Sequence, residues 1–257
     1  MIKVLTIGDV VGDGGRAFLR KKLPAFKREN NIDICIVNGE NSAQGNGITE
    51  QSASDLLTCG ADVITTGNHV FRRREIYSVF SDNFPMIRPA NYPSDAPGRG
   101  YYILDMGRYS LAVINLMGTV YLDNLDNPFN VIDNILKELS PVKNIILDFH
   151  AEATSEKRAM GFYLDSKVTA VFGTHTHVPT ADAQILPGGT GYITDIGMTG
   201  AVDSVLGVTP DDVIEKFKTN MPVRFTNPDS RCKMEGCIFV IDEKTGKTTD
   251  IKQIAVY

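Results

Sequence analysis

The sequence predicts an α/β fold with mixed sheets, and three observations carry that prediction. From residue 3 to residue 65, short apolar runs alternate with helix-length amphipathic stretches in the order βαβαβ, and parallel neighbours need such crossovers between them. Residues 100–106 and 109–116 are apolar runs joined at Gly107-Arg108, a tight connection that suits an antiparallel pair, so the fold is not purely doubly wound. The chain closes on 237–242 and 248–256 around Glu243-Lys244-Thr245-Gly246, a hairpin.

Taken in order, residues 3–7 end in Gly8-Asp9, and 16–29 follow as an amphipathic helix. A second run, 33–37, ends in Asn38-Gly39-Glu40-Asn41. Thr49 is the N-cap signal of a helix reaching about residue 58, because its hydroxyl can accept from a first-turn amide that has no helical partner. The third run, 62–65, ends in Gly67-Asn68-His69. After the central pair, the pattern predicts a helix at 131–139, a strand ending in Asp148-Phe149-His150, and a helix at 155–164. A strand at 168–172 then leads into Gly173-Thr174-His175-Thr176-His177. Residues 183–192 read as two short strands turned by Pro187-Gly188-Gly189-Thr190-Gly191. Thr209-Pro210-Asp211-Asp212 starts a helix, with proline at its first position and acids on the positive end of the dipole. No repeat, low-complexity tract or linker divides the 257 residues, so one domain, 1–257, is expected.

Composition narrows the function classes. With 42% hydrophobic residues the chain can bury a sizeable core. A formal charge of −5 leaves no footprint for binding a long phosphate backbone, so long nucleic acid is a poor partner, whereas a small anionic ligand can still be drawn by a local cation. The opening apolar run is cut by Asp9 before it could serve as a signal-peptide core or a membrane span, so a cytoplasmic location with no membrane partner is expected. A homo-oligomer is compatible with the sequence. Cys35 and Cys59 read as small buried hydrophobes, and Cys232 with Cys237 is a weak zinc signal, better taken as two residues entering the last hairpin.

The polar residues at strand ends point to a metal. The chain has four histidines, and each follows an apolar, strand-like run. In an extended segment the side chains at i and i+2 share a face, so His175 and His177 are expected to point the same way. Taken singly, Asp9 and Glu40 would be loop acids and Asn41 and Asn68 turn residues. Together with His69, His150, His175 and His177 they lie just past the carboxyl ends of five predicted strands, where open α/β sheets put their ligands. That convergence overrides the single-residue readings. Carboxylate, amide and imidazole donors without a thiolate suit iron, manganese or zinc.

Gly8-Asp9, Gly39-Glu40-Asn41, Gly67-Asn68-His69, His150 and Gly173-Thr-His175-Thr-His177 resemble, in order, the motifs of the calcineurin-like metallophosphoesterase superfamily, within its YmdB-like bacterial phosphodiesterase branch. Thr194-Asp195-Ile-Gly-Met-Thr-Gly200 is similar to that branch as well. The resemblance implies a four-layer α/β/β/α sandwich, a dinuclear metal site, and hydrolysis of small phosphodiesters such as 2′,3′- or 3′,5′-cyclic nucleotides by a hydroxide activated between two divalent ions. Two departures from the superfamily pattern are expected within the branch: Val11 stands where a ligating histidine would be, and Glu40 replaces the bridging aspartate. Asn41 is the nearest candidate for the position that Val11 leaves.

The resemblance and the residues together assign Asp9, Glu40, Asn41 and His177 to one metal and Glu40, Asn68, His150 and His175 to the other, with Glu40 shared. His69 is then the general acid or charge stabiliser for the departing oxygen. Asp148, Asp182 and Asp195 could orient the histidines. Arg72-Arg73-Arg74 reads as a solvated face, with phosphate docking as the competing use. The glycines between Gly8 and Gly15 do not have the Gly-x-Gly-x-x-Gly spacing of a dinucleotide site. The alternative from another class is a regulatory protein that keeps the fold and the metals and acts by binding a ligand or a protein.

Overall fold

The computed structural model describes residues 1–80 and 84–257. The first sheet contains β1 (Ile2–Ile7), β2 (Asp9–Val10), β3 (Ile34–Asn38) and β4 (Val63–Thr65), where β1, β3 and β4 run parallel. Between these strands lie helices α1 (Gly12–Asn30) and α2 (Glu50–Cys59). The second sheet contains β5 (Tyr101–Asp105), β6 (Ser110–Met117), β7 (Asn144–His150), β8 (Ala170–Thr174), β9 (Gln184–Ile185) and β10 (Gly191–Ile193), in the order β5-β6-β7-β8-β10-β9. Helices α3 (Pro128–Glu138) and α4 (Thr154–Leu164) connect its parallel strands β6, β7 and β8. The chain then returns to the first sheet through β11 (Met198–Ala201), passes α5 (Pro210–Thr219), and ends on β12 (Cys232–Asp242) and β13 (Lys247–Val256).

Alternation along the strands builds the layers. In β3, Cys35 and Val37 face the apolar cluster shared with Leu19 and Leu23 of α1 and Leu56 of α2, while Ile34 and Ile36 face the second sheet. In β6, Leu111 and Val113 meet that same central cluster, whereas Ala112, Ile114 and Leu116 join Ile132 of α3 and Met160 of α4. Both faces of each sheet are therefore buried, as period-two side-chain direction requires in a strand covered on two sides. The α/β/β/α order implied by the family resemblance follows from these three clusters.

Local signals behave as expected at several ends. Thr49 accepts from the Ser52 amide while Ser52 Oγ accepts from the Thr49 amide, a reciprocal cap, and Gly60 closes α2 in the left-handed region. Asn127 caps α3 ahead of Pro128, three residues earlier than the apolar period alone suggests. Thr209 sits at the start of α5, but its hydroxyl bonds to Thr226 and not to the helix. The helix α1 begins at Gly12, not residue 16, because its glycines serve packing: a Cβ on Gly15 would lie 2.4 Å from Thr199 O of β11. Cys232 and Cys237 are five residues apart on one strand and so face opposite sides; both are free thiols, as are Cys35 and Cys59. Among the described residues, no helix is long and apolar enough to cross a membrane.

Candidate metal centre

The parallel strands of both sheets deliver their carboxyl ends to one edge, and that is where the polar motifs meet. Asp9 follows β1, Glu40 and Asn41 follow β3, Asn68 and His69 follow β4, His150 is the last residue of β7, and His175 and His177 follow β8. The two sheets are tied there by buried hydrogen bonds, Asn38 Nδ2 and Thr65 Oγ1 both donating to Asp148 Oδ2. His175 and His177 differ from the extended geometry expected for them: β8 stops at Thr174, and both adopt left-handed backbone with φ of 98° and 61°. Their rings converge because the chain turns here, not because a strand alternates.

One set of donors surrounds His150 Nε2, which lies 3.2 Å from Glu40 Oε1, 3.0 Å from Asn68 Oδ1 and 3.0 Å from His175 Nδ1. Ligand atoms of Glu40, His150 and His175 all fall within 4.8 Å of one another. A second set adjoins it: His177 Nε2 is 3.6 Å from Asp9 Oδ1 and 3.3 Å from Asn41 Nδ2, and Asn41 Nδ2 is 3.1 Å from Glu40 Oε1. Glu40 thus reaches both sets. Asn41 is oriented with its amide nitrogen toward them and with Oδ1 at 2.9 Å from His69 Nδ1. His69 also lies 3.3 Å from Glu40 Oε1, and its amide donates to Glu40 Oε2.

Each histidine of the two sets has its outward nitrogen engaged. His177 Nδ1–H donates to Leu206 O, a group that can only accept, so Nε2 is the nitrogen that faces the site. His175 Nε2 pairs with the Glu152 carboxylate at 3.0 Å, which turns Nδ1 inward. Thr174 Oγ1 gives its proton to Asp148 Oδ1 at 2.7 Å, so it accepts from His150 Nδ1–H at 2.9 Å and leaves Nε2 inward. Outer partners of this kind orient metal-binding imidazoles and raise their basicity.

Electrostatics agree with a cation site. Burial disfavours charge on Glu40, but His150 and His69 outweigh it and hold the carboxyl well below the ordinary range. Asp9 is likewise lowered, its burial offset by His177 and His150. Burial also opposes a cationic His177, yet Asp9 raises it to about 9, and Glu40 raises His150 in the same way. His175, buried and beside His150, falls to about 4. Burial lifts Asp148 to about 6. Two carboxylates kept ionised, with protons held between them and imidazoles, form a set from which divalent cations would displace those protons.

Two further observations test the fit to a metal. Asp9 Oδ1 is buried with no partner inside hydrogen-bond distance, the His177 ring standing 3.6 Å away, so this carboxylate oxygen is one that a metal cation would satisfy more fully. A Cβ on Gly67 would lie 2.3 Å from His150 Nε2 and 2.4 Å from Glu40 Oε2, so that glycine keeps the space between the ligand atoms open. The donor set and both observations fit.

Sequence reasoning missed the roles of Glu152, Thr174 and Leu206, which are created by packing and leave no local pattern. Of the orienting acids, Asp148 reaches His150 only through Thr174, Asp195 accepts from Thr176 between the two turn histidines, and Asp182 bonds Thr180 and Thr194 without contacting a histidine. Arg72 and Arg74 are exposed, and Arg73 braces the neighbouring loop through Gln44 O and Asn46 O.

A family model described as YmdB-like protein matches residues 5–254. A 2′,3′-cyclic-nucleotide 2′-phosphodiesterase of Bacillus subtilis (strain 168) is 44% identical over 256 residues, covering 99% of this chain and 97% of that protein. The crystal structure of a hypothetical protein from Thermus thermophilus superposes with a TM-score of 0.94 at 37% identity, over 99% of this chain and 98% of that one. A structure described as a novel phosphatase from Mycoplasma pneumoniae gives 0.93 at 33% identity, over 99% and 93%.

Proposed function

The chain belongs to the YmdB-like protein family, and from that premise we propose that it is a metal-dependent phosphodiesterase of small substrates, with 2′,3′- or 3′,5′-cyclic nucleotides as the substrate class. The observation that carries this reading is the shared position of Glu40 between two donor sets, with three imidazoles locked toward them and Asp9 Oδ1 buried without a hydrogen bond. The name of the Bacillus subtilis relative supports the cyclic-nucleotide class, and the chain's net charge of −5 favours a small ester over a polynucleotide.

Asp9, Glu40, Asn41 and His177 would hold one cation, and Glu40, Asn68, His150 and His175 the other. Iron or manganese suits this donor set, with zinc as a further candidate. Two such ions supply Lewis-acid charge for the phosphoryl oxygens and a water acidic enough to attack near neutral pH. Turning the Asn41 amide by half a revolution presents Oδ1 to the cation and Nδ2–H to His69 Nδ1. His69 then keeps its proton on Nε2, the nitrogen available to donate to the departing oxygen. The four free thiols suit a reducing compartment, and the cytoplasm is the proposed location.

The test is turnover by protein stripped with chelator and reloaded with manganese or iron, assayed on cyclic nucleotides, linear dinucleotides and long RNA. Metal-dependent release of product from the cyclic esters is expected. Retention of nucleotide without product would refute catalysis and favour the regulatory reading.

A further inference from the structure

The segment after β10 contains a buried charge that the proposed chemistry does not use. Asp195 is fully buried, and so is Lys157 of α4, whose Nζ donates to Asp195 Oδ2 at 2.7 Å and to Thr174 O at 2.7 Å. Asp195 Oδ2 also accepts from the amide and the hydroxyl of Thr176, at 3.2 and 2.8 Å, and Oδ1 accepts from the Gly197 amide. Thr176 is the residue between His175 and His177. A buried ion pair costs desolvation that an apolar pair of the same size avoids, so fold stability alone is a weak reason for this one.

Its connections suggest what it does. His175 and His177 both hold left-handed backbone, a conformation that non-glycine residues keep only where the surroundings over-determine it. Asp195 grips the peptide between them, and three residues later Met198 pairs with Asp9 in the first sheet. The His175 amide closes the circuit by donating to Asp9 Oδ2 at 3.2 Å. One short segment therefore connects the turn that carries two imidazoles of the second sheet to the strand that carries the carboxylate of the first.

We propose that Asp195, held by Lys157, is a positioning residue that sets the His175–His177 turn against Asp9 and so fixes the spacing of ligands from the two sheets. This rests on the reading of Asp9, His175 and His177 as metal ligands. Without the clamp the turn relaxes toward ordinary backbone, and the imidazoles lose their common aim.

The experiment compares the full chain with Lys157→Met/Asp195→Leu, an apolar replacement that removes both charges together, and with Thr176→Val and Thr176→Ser. Hydrogen exchange over residues 174–177 of chelated protein, manganese affinity by chelator competition, and thermal stability are measured for each. The double variant also leaves Thr174 O, the Gly197 amide and both Thr176 donors without their partners, so it is expected to melt below the parent, to exchange faster at Thr176 and to bind manganese about 10- to 100-fold more weakly, the usual effect of losing an outer partner of a ligand. Thr176→Val leaves the buried pair intact, so it answers the question even if the double variant does not fold; it should weaken binding in the same direction, and Thr176→Ser should restore it. Parental affinity or parental exchange in Thr176→Val, or affinity that merely follows melting temperature across the set, overturns the proposal. If the parent itself takes up no manganese, the ligand reading fails, and exchange in the chelated proteins still decides whether Asp195 holds the turn.

Discussion

Glu40→Gln is the sharpest perturbation of the centre, since it keeps the side-chain shape and removes the one charge shared by both donor sets. In the metal-free arrangement four donors face this buried carboxylate: Asn41 Nδ2 and the His69 amide at 3.1 Å, His150 Nε2 at 3.2 Å and His69 Nδ1 at 3.3 Å. Glutamine offers a single accepting oxygen, so at least one of these donors meets an amide N–H. That leaves a buried group unsatisfied, at about 1–3 kcal/mol, and for a chain of this size each kcal/mol lowers the melting temperature by about 2–4 °C. Metal binding should suffer more. Loss of an outer partner weakens a site about 10- to 100-fold, and Glu40 is proposed as a direct ligand of both ions, so each should weaken by more than about 100-fold. Manganese titration against a chelator, with elemental analysis of the dialysed protein, reads both sites. One ion retained at parental affinity would show that Glu40 is not shared and would break the two-set arrangement.

Three other outcomes are expected. His69→Ala should keep both metals while losing about 10²- to 10⁴-fold in turnover on esters with poor leaving groups, and the deficit should shrink on a nitrophenyl phosphodiester; metal loss equal to that of His150→Ala would make His69 a ligand instead. The His177–Asp9 pair should make chelated protein pH-sensitive. Because the His177 pKa rises from 6.5 to about 9 in the fold, the pair's stabilisation is complete below about 6.5 and is lost as pH rises through about 9, so melting temperature should fall across that window and His177→Gln should flatten the slope. A wild-type profile that rises over the same range would contradict this assignment. Cleavage of cyclic nucleotides should change little with moderate salt, whereas tight and steeply salt-dependent binding of a long polynucleotide would count against the small-substrate reading.

Much of the architecture is readable without coordinates because it is written in local terms. Near-continuous apolar runs in residues 33–37 and 109–116 mark strands of the kind that are buried on both faces, Thr49 and Pro210 mark helix starts, and the crossovers imply parallel pairing. All eight strand-end candidates arrive at one sheet edge, since parallel strands deliver their carboxyl ends to the same side. The two-residue strand β2 and the four-residue β11 escaped because nothing so short carries a period; they exist only as partners of each other and of β12.

The amino-acid sequence by itself determined which donors the chain possesses, their order and the sheet edge they reach, all of which follow from residue type and local spacing. Only the tertiary structure decided how they aim. His175 and His177 converge through left-handed backbone held by Asp195, His150 is oriented by a threonine that relays Asp148, and His177 by a carbonyl 29 residues away. Those contacts join segments far apart in the chain, and a hydrogen bond between distant segments depends on a packing that no local window contains.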